Sequence, residues 1–298
     1  MMQHALLGLT AETSLHAGTG RRTGVIDLPI MREAHTHWPC VYGSAVKGAL
    51  RSQAQRLGHA WLTEVFGPDT NNASDHAGAL TVGDARLLLL PVRSLNSHFK
   101  WVTCPALLRR AKADALRLGI TDAQDAEDIK RVLSDDTAVA PHGGGSETQV
   151  FLEEFSFSVQ RPNLSALVAW LARFGTDEAA FAEQLKAQLM IVSDDMFNHL
   201  ASFATPVTPH IAIHNDRKVV KDGALWYEET LPPDTVLYVA LAANRSRAKD
   251  SAQSAAWVLE QALSLFPQER PYVQLGGNET VGMGWCRVRT VDSSIKGA

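Results

Sequence analysis

Residues 14–51, SLHAGTGRRTGVIDLPIMREAHTHWPCVYGSAVKGALR, constrain this chain more than any other stretch. They run from a glycine-bearing basic loop, through an apolar patch with one carboxylate, into the start of a helix. Residues 4–13 before them alternate in hydrophobicity and read as a strand. Loop 17–24 holds Gly18, Gly20 and Gly24 with Arg21 and Arg22. Glycine lets a backbone approach a ligand closely, and arginine donates to phosphate in a bidentate manner. A flexible surface turn has the same composition. Asp27 then stands alone among Val25, Ile26, Leu28, Pro29 and Ile30. Such an acid either caps backbone N–H groups in a turn or acts beside a ligand. Residues 44–57 are expected to form a helix, with Ser44 as N-cap and Ala45, Val46, Ala49, Leu50, Ala54 and Leu57 as its apolar stripe. Lys47 and Arg51 lie one turn apart, off that stripe. With Gly43 ahead of the cap, this helix start suits a phosphate; a solvated basic face is the alternative.

The remainder reads as strands and helices in irregular alternation. An apolar piece at 61–66 ends at Gly67-Pro68, and 69–78 is a polar loop. A strand is expected over 79–92 and a helix over 105–118, opened by proline. Residues 119–148 are acidic, end in glycines, and read as an insertion with mobile connections. A strand at 149–159 precedes helical patterns at 164–174, 178–192 and 194–203. Residues 205–232 suit a long hairpin turning at Asn215-Asp216, its tip loaded with Arg217, Lys218 and Lys221. Such a tip grips a partner, or else protects an edge by charge. A buried strand at 235–243 and a helix at 251–266 follow. Residues 272–291 give strand, glycine loop and strand, with Gly276, Gly277 and Asn278 in the loop. The loop has neither GxGxxG spacing nor a P-loop's Lys-Ser/Thr ending, which argues against a nucleoside triphosphate site. The pattern predicts an α+β fold, an antiparallel sheet with helices on one face.

At 298 residues and 45% hydrophobic, the chain can bury a sizeable core in one domain. No apolar run approaches the roughly 20 residues of a membrane span, and no secretion signal opens it. Cys40, Cys104 and Cys286 are too scattered for a zinc site or a disulfide framework, so a reducing cytoplasm is expected. The net charge of -4 does not announce a nucleic-acid binder, but its distribution is uneven. Residues 1–60 carry six Lys/Arg against three acids; residues 120–155 carry nine acids against two bases.

SLHAGTG, VIDLPIMRE, GSAVKGALR, DGALWYEETLP and LGGNETVGMG, in that order across residues 14–284, resemble the repeated backbone subunit of type III-B CRISPR–Cmr effector complexes, a member of the RAMP superfamily. The resemblance implies a modified RNA-recognition (ferredoxin-like) fold with insertions and a projecting thumb, here residues 205–232. It implies copies aligned head to tail along a guide crRNA, with other Cmr subunits, and a target RNA cut once per copy with a divalent metal (Mg or Mn). The family's essential acid matches Asp27, which either takes the 2′-OH proton or holds the metal ion beside the phosphate. His16 matches a family histidine, and Glu228 or Glu229 an accessory acid. Thr230 stands where relatives often have tyrosine. Guide contacts are expected from Gly18, Gly20, Arg21, Arg22, Ser44, Lys47 and Arg51, from Arg217 and Lys218, and from the backbone at Gly276, Gly277 and Asn278. Two other readings stay open: a non-cleaving scaffold of the same assembly, and a free-standing guide-processing ribonuclease using histidine.

Overall fold

The computed structural model describes residues 2–21, 23–69, 72, 74–143 and 145–295. Its first half contains β1 (Gln3–Ala11), β2 (Cys40–Val41), α1 (Gly43–Arg56), α2 (Leu62–Phe66), β3 (Leu80–Val82), β4 (Ala85–Arg93), β5 (Phe99–Thr103), α3 (Pro105–Arg117), a 3-10 turn at Glu127–Val132, and β6 (Thr137–Val139). There follow β7 (Gln149–Leu152), β8 (Phe155–Gln160), α4 (Ser165–Ala172), α5 (Glu178–Gln188), β9 (Leu189–Ile191) and α6 (Asp194–Phe203). The last third holds β10 (Val207–Ile213), β11 (Val220–Glu229), β12 (Val236–Ala243), α7 (Ala255–Leu263), β13 (Tyr272–Gln274), a 3-10 turn at Glu279–Val281, and β14 (Trp285–Ser293).

One large sheet runs β13-β14-β1-β12-β4-β5-β9-β6-β8-β7, with β2 beside β4 and β3 beside β12. β1 is central and antiparallel to both β12 and β14. Most pairs are antiparallel, but β5 with β9 and β6 with β8 are parallel. Successive strand residues face opposite ways, and here both faces are covered. Ala5, Leu7, Leu9 and Ala11 of β1 pack with α1, α2 and α7, while Leu6 packs with residues of α3, α4 and α5. The α+β class holds, but helices lie on two faces rather than the one expected. The run LLLLPV in β4 already carries the reason, since a strand apolar at consecutive positions is buried on both sides. No helix among the described residues is long and apolar enough to cross a membrane.

Several boundaries differ from the sequence reading. The strand expected over 79–92 is two, broken at Gly83-Asp84, and that break frees Asp84 to accept from the Gly43 N–H at the start of α1 (2.7 Å). The strand at 149–159 is a hairpin turning at Glu153, whose φ is 49°. The helix expected over 178–192 ends early and continues as β9, and β5 has no counterpart in the sequence reading. The acidic segment 119–148 is packed: it supplies β6 to the sheet and buries Ile120, Ala123, Ala126 and Ile129. Four of its carboxylates are matched within the chain, Asp122 by Arg173 (2.8 Å), Asp125 by Lys112 (3.0 Å), Glu127 by Arg109 (2.7 Å) and Glu147 by Arg161 (3.1 Å).

The hairpin expected at 205–232 is present. β10 and β11 form a separate two-stranded sheet whose residues are mostly exposed from 206 to 227. Its far end loops through 214–219, and His210 stacks on Trp226 partway along (centroids 5.5 Å apart). Its base meets the end of β1, where Leu15 and Leu231 exchange two backbone bonds of 2.9 Å. This junction brings residues 14–31 and 227–231 together.

Candidate nucleic-acid interface and cleavage site

Residues 27–31 are held along the hairpin base on one side and loop 17–19 on the other. Leu28 N–H donates to Tyr227 O (3.0 Å), and Glu229 N–H donates to Leu28 O (3.0 Å). Opposite, Thr19 N–H reaches Pro29 O (3.1 Å) and Met31 N–H reaches Ala17 O (2.7 Å). Asp27 is half-buried at the start of this strip, and its Oδ2 accepts from Tyr227 N–H (2.8 Å). One oxygen of Asp27 therefore does cap a backbone N–H, while among the described residues no donor is bonded to Oδ1. Arg21 is exposed, and Gly20 lies at φ +85° with open space around it. Arg22 lies outside the described residues.

His16 and Glu228 come together beneath the glycine loop. Both are buried. His16 Nδ1 donates to Glu229 O (2.8 Å), so that nitrogen carries a proton, and it lies 3.6 Å from Glu228 Oε1. Asn278 Nδ2 donates to the same Glu228 oxygen. Asn278 is left-handed (φ 60°), a conformation asparagine tolerates. The loop is pinned from above: Gly277 N–H donates to His16 O and Gly284 N–H to Ser14 O, both at 2.9 Å. A Cβ on Gly276 would collide with the His16 carbonyl, and one on Gly18 with the imidazole, so these two glycines exist for close packing. No hydrogen bond or ion pair joins Asp27 to His16 or Glu228 among the described residues.

Glu229 faces the other way and is 2% exposed. Its carboxylate accepts from Ile30 N–H (3.1 Å), Arg32 Nη2 (2.5 Å) and Thr205 Oγ1 (2.6 Å). Arg32 continues to Ala201 O and His37 O, each at 2.8 Å. Removing one partner of such a buried pair typically costs about 3–5 kcal/mol.

A cleft of about 390 Å³ opens between α1 and the two glycine-bearing loops. Ala45, Gly48, Ala49 and Ser52 line it from the helix, Gly18 and Met31 from one loop, Gly276 and Gly277 from the other. The sequence reading misses these helix residues. Gly48 is the available signal: inside a helix it costs about 1 kcal/mol relative to alanine, and a Cβ there would meet open space. Lys47 is half-buried; desolvation, then the charge of Arg51, pulls its ammonium below the usual lysine range.

Three of the residues expected to contact RNA, Arg51, Gly277 and Asn278, make bonds within the chain, and Ser44 is exposed without the expected capping role. Ser44 is not the N-cap: Tyr42 occupies that position without a side-chain bond, and Asp84 caps the helix from β4's leading turn. A carboxylate at the helix start fills the place expected for a phosphate. Arg51 Nη1 is bound to Gly67 O (2.6 Å) at the end of α2. The Gly277 N–H and the Asn278 amide serve His16 and Glu228, as described. Arg217 and Lys218 are exposed near the far end of the hairpin.

A model of the RAMP superfamily matches residues 8–287. The chain belongs to this superfamily. Within it, the chain is 35% identical over 294 residues to the CRISPR system Cmr endoribonuclease Cmr4 of Pyrococcus furiosus, covering 96% of this chain and 95% of that one. It is therefore a RAMP protein of the Cmr4 family. The crystal structure of oligomeric Cmr4 from the same organism superposes with a TM-score of 0.73 at 30% identity, covering 97% and 98% of the two chains. A chain from the cryo-EM structure of the type III-B Cmr-beta complex bound to cognate target RNA shares the fold, at TM-score 0.70 and 22% identity. The RAMP fold expected from the sequence motifs is thus the fold of this chain.

Proposed function

We propose that this RAMP protein is a repeated backbone subunit of a type III-B CRISPR effector, which holds a guide RNA and cuts complementary target RNA at Asp27. The 35% identity with a Cmr endoribonuclease, over nearly the whole of both chains, carries this reading. In such an assembly base pairing reads the sequence, and the protein holds the backbone. The guide crRNA follows the cleft along α1, against Gly18, Gly20, Lys47 and Gly276. A phosphate beside Lys47 offsets the desolvation that burial imposes on it. The hairpin reaches outward with Arg217 and Lys218 toward the duplex and a neighbouring copy. Target RNA, further copies in a filament and the other Cmr subunits are the partners.

The chemistry follows from RNA itself. The 2′-oxygen bonds to the adjacent phosphorus and the bond from phosphorus to the 5′-oxygen breaks. The 2′-OH proton passes to Asp27 Oδ1, the oxygen left over once Oδ2 holds Tyr227 N–H. The leaving 5′-oxygen takes its proton from water. His16, Glu228 and Asn278 shape the wall behind the glycine loop. Among the described residues no group of three His, Cys, Asp or Glu could cage a metal ion. Asp27 alone suits the way magnesium is held, by one or two carboxylates together with substrate phosphates and water, and such an ion would supply charge neutralisation at the phosphate.

A non-cleaving scaffold is the second reading, favoured by the Asp27–Tyr227 bond, which gives Asp27 a structural task. To test guided cutting, the chain is assembled with crRNA and its sibling subunits and given labelled RNA. Evenly spaced products from the matched target and none from a scrambled one are expected. Equal cutting of both would contradict guidance, and no cutting of either would leave a scaffold.

A further inference from the structure

We infer that Glu229 is a positioning residue for the cleavage site: its buried carboxylate fastens the Asp27 segment to both feet of the hairpin. The inference rests on the reading that Asp27 performs the cut.

The three donors to Glu229 come from three places in the chain. Ile30 lies three residues beyond Asp27, Arg32 follows it, and Thr205 precedes the first hairpin strand. Glu229 itself ends the second hairpin strand. One side chain therefore ties the segment that carries Asp27 to the entry and the exit of the hairpin. Arg32 extends the tie to Ala201 near the end of α6. The backbone adds a continuous strip from the same residue: Glu229 N–H to Leu28 O, Leu28 N–H to Tyr227 O, Tyr227 N–H to Asp27 Oδ2. The orientation of Asp27 depends on where Tyr227 stands, and Tyr227 is two residues from the lock.

Packing alone does not account for a carboxylate here. A buried charge is unfavourable unless paired and hydrogen-bonded, and apolar groups of similar volume often serve stability as well or better. What the carboxylate adds is geometry, because three donors must converge on it from fixed directions. Glu228 does the corresponding work on the opposite wall, toward Asn278. Of the two adjacent acids, Glu229 is the one whose side chain is bonded to the Asp27 segment.

The test uses the assembled effector with guide and matched, labelled target, comparing wild type, Glu229→Gln, Thr205→Val and Asp27→Ala. Glutamine keeps the shape but turns an N–H toward at least one of the three donors. A displacement of the order of 1 Å at a reacting group can cost about 100-fold in rate. Glu229→Gln should therefore lower the single-turnover cleavage rate roughly 10- to 100-fold, with target affinity within about twofold of wild type. Thr205→Val removes one donor and should lower the rate by a smaller factor. A wild-type rate per assembled complex, with only the melting temperature reduced, would overturn the inference. So would a loss of target affinity with the rate intact. Should Glu229→Gln fail to assemble, Thr205→Val decides: a wild-type rate there overturns the inference. Asp27→Ala separates the two layers. If it still cuts, the reading of Asp27 fails; if it is silent while Glu229→Gln cuts normally, only the positioning role fails.

Discussion

Glu228 and Glu229 are neighbours in sequence yet face opposite ways, as successive residues of a strand must. That alternation sends Glu228 toward His16 and Asn278, and Glu229 toward Ile30, Arg32 and Thr205. The thiols show how burial sets chemistry at single residues. Burial, then the charges of Glu33 and Asp84, pushes the Cys40 thiol up to about 11. Burial, then Glu12, pushes Cys286 up to about 12, and burial raises Cys104 as well. At pH 8 an alkylating reagent should leave the native chain unlabelled and modify three cysteines in denaturant; labelling of the native chain, read by mass spectrometry, would contradict this. Asp234 offers a pH test. Desolvation, then Glu12, raises its carboxyl above the ordinary aspartate range. A folded pKa above the unfolded one favours the fold while the group is protonated, and that benefit is lost as pH rises through the folded value. Asp234→Asn should therefore raise the melting temperature at pH 7, with the gain vanishing below about pH 4. Asparagine also accepts the left-handed φ of 67° there.

Helix α1 and the hairpin carry the element-scale predictions. Gly48→Ala should raise stability by about 1 kcal/mol, since a methyl there meets open space and helix propensity improves. The same methyl stands in the cleft, so RNA affinity should fall. Chemical denaturation and RNA titration of one variant check both; unchanged affinity would move the RNA path off this helix face. At the hairpin, Arg217 and Lys218 are exposed. Replacing both with alanine should leave the melting temperature within about 1 °C, as expected of surface changes. It should flatten the salt dependence of RNA binding by about 0.7 in log–log slope for each phosphate no longer neutralised. An unchanged slope would remove the tip from the interface. The hairpin is legible because its turn residues and alternating strands are local signals. The cap of α1 is not: Asp84 reaches Gly43 across 41 positions, and only the fold shows that a carboxylate arrives before a phosphate could. The Arg51 bond to Gly67 is hidden for the same reason.

Over the whole molecule, the α+β class and the central strands can be read from periodicity, because apolar alternation reports a local face. The second helical layer and the parallel pairs depend on contacts far apart in sequence, which periodicity does not contain. The acidic segment 119–148 misleads for a related reason: its charges suggest exposure, whereas Arg173, Lys112 and Arg109 meet them from elsewhere in the chain. The motifs around Asp27 and His16 lie some 200 residues from Glu228, and the fold joins them at the hairpin base. Cleavage at Asp27 in an assembled filament is the central claim. The direct measurement is single-turnover cutting of a matched, end-labelled target by assemblies built with wild type or Asp27→Ala, with target binding followed in parallel. Asp27→Ala should bind target with wild-type affinity and lose every evenly spaced product. Wild-type cutting by Asp27→Ala would put the chemistry elsewhere and contradict the account.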